Sequence, residues 1–292
     1  MARRLTAKAE TDVVVRRARA SDKKPLIRFI KGIWGGHDYI PYVWDRWLKD
    51  PSGQMFVAEV GGEPVGMNRV RCMEDGSAWL EGARVHPAHR GRGVATALGE
   101  SSMAYLRERG VKVFRLASRS RNFPAHRQIA RMSFREVTRL SVFERKSARK
   151  LAPREEMREA EESETESLYR GLLKSRDYAR YSGLVCASWT CISLTREVFS
   201  RWVKAGGVVV SDGAAALVRR GREGKEEWNE VCFLSGRTPA AMDIVRRMAS
   251  AGPSRRDIYV IVPVGSRYAG PLRRLGFRRS TSLVIFEKSV KG

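Results

Sequence analysis

Glu81 is the first residue in this sequence whose type and setting suggest chemistry. It stands in Trp79 to Val85, a stretch otherwise bulky enough for a strand. A carboxylate on such a strand is costly unless it is paired or functional. Alternation puts Glu81, Ala83 and Val85 on one face. A carboxylate there can take the proton of an amine nucleophile or hold an ammonium group. The alternative is an ion pair with Arg69, Arg71 or Arg84. His37 and Asp38 are further candidates for the base, and plain loop residues otherwise. Gly82, beside Glu81, marks a possible bulge that opens the sheet.

The second feature follows directly. His86-Pro87 stops the strand, because proline cannot donate to a ladder. Arg90-Gly91-Arg92-Gly93-Val94-Ala95 comes next, and from Val94 apolar residues recur at Ala97, Leu98, Tyr105 and Leu106, a helical spacing. Two glycines let the backbone approach a ligand. The first turn of a helix carries free N–H groups and a positive dipole end. A strand, glycine turn and helix in this order cradle a diphosphate, and Arg90 or Arg92 can add charge. A dinucleotide fold fits less well. Its glycines follow the strand directly, with an acidic residue ~20 positions on, whereas Pro-Ala-His-Arg intervenes here.

The surrounding elements must position these residues. Val13 to Arg17 reads as an edge strand. A helix is expected from about Pro25 to Trp34, capped by Ser21-Asp22, with proline in its first turn. Gly35-Gly36 ends it. Tyr39 to Leu48 reads as a second, aromatic-rich helix, and Asp50 to Gly53 as a turn. Met55 to Val60 and Pro64 to Cys72 form a hairpin around Gly61-Gly62. After the central strand and helix come a strand at Val111 to Ala117, a helix at Pro124 to Met132 and a strand at Val137 to Glu144.

The pattern Val85-x-Pro87-x-x-Arg90-Gly91-x-Gly93-x-Ala95, in this order of elements, resembles the acetyl-CoA signature of the GNAT superfamily of N-acetyltransferases. The resemblance covers residues 13 to 146 and implies a GNAT fold, α/β with a mixed sheet. It implies acetyl-CoA as co-substrate, held by Val85, Arg90, Gly91, Arg92, Gly93, Val94 and Ala95, with the Val85 backbone pairing with pantetheine amides. Asp38-Tyr39-Ile40-Pro41, Trp47 to Pro51 and Glu81-Gly82-x-Arg84-Val85 are similar to the histidine acetyltransferase subgroup. The family pattern Asn-x-x-Ala-x-x-x-Tyr-x-x-x-Gly-Phe meets Asn122, Ala125, Ile129, Ser133 and Phe134 here. Asn122 is thereby implied as a cofactor contact. Ile129 replaces the tyrosine that protonates the leaving thiolate, so His126, solvent or no group does that work. Glu81 is the first candidate for the catalytic base. Tyr39, Tyr42, Trp44 and Trp47 either wall the acceptor site or belong to the core.

The second half echoes the first. Phe134, Arg135, Thr138, Leu140, Phe143 and Glu144 recur 143 positions later as Phe277, Arg278, Thr281, Leu283, Phe286 and Glu287. A hairpin is expected around Asp212-Gly213, a counterpart of the central strand at Val231 to Leu234, and a helix at Ala240 to Ala249. The Arg-x-x-Gly-x-Ala turn is missing. The expected organisation is a basic arm at 1–12, a GNAT domain at 13–146, a charged linker at 147–167 and a degenerate GNAT-like domain at 168–292.

The formal net charge is +24 over 292 residues, spread along the chain. It predicts attraction to polyanions, including nonspecific nucleic-acid binding, without choosing among them. No window offers ~18 consecutive apolar residues, and MARRLTAKAETD lacks an apolar signal core. A cytoplasmic protein without a membrane partner is expected. The cysteines at 72, 186, 191 and 232 and four scattered histidines fit no metal site or redox pair. Buried free thiols and no metal are expected.

The reading is an acetyl-CoA-dependent N-acetyltransferase acting by direct attack in a ternary complex. Its acceptor is a free amino acid or small amine, or a protein lysine or N-terminus. The rivals are a basic nucleic-acid- or ribosome-associated protein and an acyl-CoA-sensing regulator on the same fold.

Overall fold

The computed structural model describes residues 13–146, 151, 157–223, 226–250 and 257–290. The basic arm at 1–12 and residues 147–150 and 152–156 of the charged linker lie outside the described residues.

The first half runs β1 (Val13–Arg17), α1 (Lys23–Ile30), α2 (Ile40–Lys49), β2 (Gly53–Val60), β3 (Glu63–Cys72), β4 (Ala78–Val85), α3 (Val94–Arg107), β5 (Val113–Arg119), α4 (Phe123–Arg131) and β6 (Arg135–Arg145). Helix α1 is shorter than expected, and Ile33–Gly36 is a separate 3-10 turn. Asp22 does not cap α1. Its carboxylate accepts the Arg19 N–H at 2.7 Å and pairs with Arg16, bracing the turn before the helix.

The second half holds β7 (Met157–Glu159), α5 (Thr165–Leu173), α6 (Arg176–Arg180), β8 (Leu184–Ala187), β9 (Thr190–Ser193) and α7 (Arg196–Lys204). It continues with β10 (Val208–Ser211), β11 (Ala214–Glu223), β12 (Glu226–Gly236), α8 (Thr238–Ser250), β13 (Asp257–Pro263), α9 (Ala269–Arg274) and β14 (Arg278–Ser289). Part of the charged stretch between the halves is thus the outermost strand, β7, and the start of α5.

Twelve strands form one sheet in the order β1-β2-β3-β4-β5-β14-β6-β13-β12-β11-β10-β7. Neighbours are antiparallel except β4/β5 and β12/β13. The halves trade their last strands: β14 pairs with β5, and β6 pairs with β13. The repeated segments are β6 and β14 themselves, lying side by side, with Leu140 opposite Leu283 at the centre of their register.

Alternation along the strands explains the packing. Val70, Ala78, Leu80 and Phe114 face α3, together with Val284 and Phe286 of the exchanged strand. Met55, Val57 and Met67 face α1 and α2. Ala216, Val231, Val260 and Val262 face α8 and α9. A further cluster spans both halves, joining Trp79, Leu140, Leu283 and Ile285 to Phe199 of α7 and to Val185 and Ile192 of the β8–β9 hairpin. Among the described residues, no helix is long and apolar enough to cross a membrane.

The expectation of free cysteines fails in two places. Cys186 and Cys191 lie opposite each other in the β8–β9 hairpin and form a disulfide. Sequence spacing does not reveal it, because the pairing follows from a two-residue turn at Ser188-Trp189. Cys72 is a free thiol but exposed, at the end of β3, whereas Cys232 is free and buried.

Candidate active site

Strands β4 and β5 pair only at Ala78↔Phe114 and Trp79↔Arg115, then diverge. Beyond Trp79 the edge of β4 that faces β5 is open. Gly82 makes the bulge: its φ is +68°, and the β3–β4 register shifts alongside it. A Cβ at Gly82 would lie 2.7 Å from the Trp47 ring, so only glycine lets β4 and α2 approach this closely.

The glycine turn stands at the open edge. Gly91 and Gly93 have φ of +76° and +80°, and a Cβ at either would meet nothing within 4 Å. Gly93 caps α3 with no side-chain oxygen on its first N–H groups. Those donors point out of the helix start and are left for a ligand. Arg90 and Arg92 are exposed, and Val94 is buried under the turn. Arg90 Nε donates to the Val85 carbonyl at 3.4 Å, so that carbonyl already has a contact. His89, next to the turn, is held below the ordinary imidazole pKa by burial, with help from Arg92 and His86.

Asn122 caps α4, its side-chain oxygen accepting from Ala125 N–H at 3.4 Å. Ile129 lies in the core under α4. His126 Nε2 lies 3.0 Å from the Arg119 carbonyl, and its ring packs on Phe286. Ser118, on β5, has a buried hydroxyl with no protein partner. An open glycine cradle, an uncapped helix start and an orphaned hydroxyl on the diverging strand fit an elongated ligand with an anionic head.

Glu81 lies two residues past the last β4–β5 pair, on the face opposite α3. It forms ion pairs with Arg69 and, at 3.3 Å, with Arg71. Arg69 is buried, stacks on Trp47 at 4.9 Å and also pairs with Asp50. Burial pushes the Asp50 carboxyl up, but the Ser52 hydroxyl and amide and the two arginines outweigh it, leaving it below the usual range. The sequence alternative of an arginine partner for Glu81 is therefore present, and both arginines line the same cavity as Glu81. That cavity has a volume of about 530 Å³. Tyr39, Trp47, Asp50 and Met73 wall it from the first half; Val185, Thr190, Ile192, Trp202 and Arg219 wall it from the second. Trp44 is core and Tyr42 faces solvent. Asp38 is buried, paired with Arg84 at 2.6 Å and hydrogen-bonded to Ile40 N–H, so it anchors the start of α2; His37 is exposed.

Sequence reasoning expects the second half to close the site but does not identify the residues of that wall, because hairpin residues carry no motif. It also missed what fills the second half's own strand opening. Strands β12 and β13 pair from Trp228↔Asp257 to Val231↔Val260 and then diverge as β4 and β5 do. Tyr181, fully buried, bridges the gap: its hydroxyl donates to the Ile261 carbonyl at 2.7 Å and accepts from Leu234 N–H at 3.2 Å. Burial holds its phenol far above the ordinary pKa, so it stays protonated. Asp177 takes the Gly236 N–H at 3.2 Å, with Arg267 and Tyr268 on the same oxygen. Helix α8 begins two residues after β12 ends, with no glycine turn between them.

Residues 24–134 match the model of the acetyltransferase (GNAT) family. The chain is similar to a human protein named "Probable N-acetyltransferase 16", 39% identical over 88 residues, 29% of this chain and 24% of the relative. It is also similar to the histidine N-acetyltransferase of Xenopus tropicalis, 36% identical over 94 residues, 31% of this chain and 29% of the relative. These alignments span under a third of each relative. The fold extends over nearly the whole chain: a GCN5-related N-acetyltransferase from Sphaerobacter thermophilus superposes with a TM-score of 0.62 at 15% identity, covering 96% of both chains.

Proposed function

We propose that this chain transfers an acetyl group from acetyl-CoA to an amine. The first choice of acceptor is a free amino acid or small amine; a protein lysine or N-terminus is second. The observation that carries the reading is the combination of three features: a glycine turn at a helix start, a strand opened by Gly82, and a cavity lined by Glu81, the residue before that glycine. The histidine acceptor in the relatives' name fits a cavity of this size.

In this reading Gly91, Gly93, Val94, Ala95 and the backbone of Val85 hold the co-substrate, with charge from Arg90 and Arg92 and a contact from Asn122. Acetyl-CoA supplies a thioester carbonyl for attack. The amine nitrogen bonds to the carbonyl carbon, the C–S bond breaks, and one amine proton leaves. Glu81 takes that proton or orients the ammonium that loses it. Ile129 cannot protonate the thiolate, so its proton comes from elsewhere, solvent included. Residues 13–146 and 168–292 remain the two GNAT-like units, joined through 147–167 and interlocked by strand exchange. The second unit serves as a wall of the acceptor site.

Calorimetric titration with acetyl-CoA and then CoA tests this. Micromolar, one-to-one binding is expected, followed by CoA release with some amine in a screen that includes free histidine. Two equivalents would contradict the self-filled second half, and no binding would sink the enzyme reading. The rival is a nucleic-acid-binding protein, favoured by the exposed basic group Lys146, Arg273, Arg274, Arg278 and Arg279 around the β6–β14 end. It predicts sequence-preferring binding that survives added salt; steep salt loss alone marks a generic basic surface.

A further inference from the structure

Charged residues from both halves line the cavity. On the first-half side Arg69 and Arg71 are already engaged by Asp50, Glu81 and Thr190. Arg219, on β11, lines the second-half side. Its Nε donates to Glu230 at 2.8 Å and its Nη2 to the Ser188 hydroxyl, so the guanidinium is held at the cavity wall. Glu230 is a buried carboxylate on β12 that holds both Arg219 and the Ser188 N–H, the latter at 2.8 Å. Burying that carboxylate is costly unless its partners are worth fixing.

The hairpin turn points the same way. Ser188 and Trp189 have φ of +43° and +70°, left-handed backbone that non-glycine residues adopt only when their surroundings enforce it. Here Glu230 and Arg219 grip Ser188, and Arg119 lies over the Trp189 ring at 5.4 Å. The bonds to Glu230 and Ser188 keep Arg219 in one orientation at the cavity wall.

We propose that Arg219 is a specificity-determining residue that binds an anionic group on the acceptor, so that the acceptor carries a carboxylate beside its amine. This rests on the acetyltransferase reading of the same cavity. The amine lies toward Glu81 and the carboxylate toward Arg219, which spans the two halves. Glu230 is a positioning residue that acts through Arg219.

The test compares kcat/KM for an α-amino acid with that for its α-carboxamide, using whichever amino acid the wild-type protein acetylates. A charge-assisted hydrogen bond predicts a preference for the acid of roughly 10- to 100-fold. In Arg219→Ala the ratio falls to about one, and Arg219→Lys restores part of it because the charge returns without the fork geometry. Glu230→Gln lowers the ratio partway, through KM for the acid. Equal use of acid and amide by the wild-type protein would overturn the proposal without any variant needing to fold. So would an Arg219→Ala protein that loses both substrates in proportion. A wild-type protein that binds acetyl-CoA but acetylates no amine would overturn the underlying reading instead.

Discussion

Arg115→Ala should undo the join between the halves. Arg115 is buried on β5, and its guanidinium reaches Glu287 of β14 at 2.7 Å, Asp75 at 2.7 Å and Ser193 of the β8–β9 hairpin at 2.8 Å. Asp75 sits in the β3–β4 turn with its carboxylate buried, and also accepts the Ser193 N–H at 2.6 Å. Removing one partner of a buried ion pair costs about 3–5 kcal/mol, because the other charge stays buried. Asp75 keeps its hydrogen bonds from Ser77 and Ser193, so the low end, about 3 kcal/mol, is expected. At roughly 2–4 °C per kcal/mol that is a loss of roughly 6–12 °C in melting temperature. Urea unfolding of the single variants and of Arg115→Ala/Asp75→Asn should give a coupling near the upper end of about 0.5–3 kcal/mol. The pH dependence follows from Asp75. Burial raises its carboxyl, but Ser77, Ser193 and Arg115 outweigh that and hold it below the ordinary value. Its contribution is therefore complete above about pH 3.9 and is lost as pH falls through the lower folded value. Without Arg115 the folded value rises toward the unfolded one, so the part of the acid limb that Asp75 contributes should shrink. A loss under about 1 kcal/mol, well short of the buried-pair range, or an unchanged acid limb would refute this account.

Three other outcomes are expected. Glu81→Gln should abolish most turnover while acetyl-CoA binding, read by calorimetry, stays intact; unchanged turnover would remove Glu81 from both of its proposed roles. Gly93→Ala should weaken acetyl-CoA binding about tenfold or more and cost roughly 1–3 kcal/mol from the left-handed backbone alone, since the space around its Cβ is open. Tyr181→Phe should cost about 1–3 kcal/mol by leaving the Leu234 N–H and the Ile261 carbonyl unpaired. Its acetyl-CoA stoichiometry should stay at one, because the ring still fills the gap.

The sequence by itself determined the parts whose cause is local. Gly91 and Gly93 were legible because a helix start that leaves its N–H groups open needs a backbone only glycine adopts freely. Gly82 was legible beside a carboxylate on an apolar strand. The element order from β1 to β6 follows from apolar periodicity and turn residues, and the 143-residue echo announced a second unit of the same kind. Local pattern could not say which strands pair. β6 and β14 carry the same signature, so either could close either half, and only the packed sheet decided that each closes the other. Contacts made only in the folded sheet also decided the two arginines on Glu81 and the Asp75–Arg115–Ser193 join. They likewise put Tyr181 in the opening where the second half has no glycine turn. Each of these depends on residues brought together from distant parts of the chain. A side chain's type records what it can bond to, and only the fold determines what it meets.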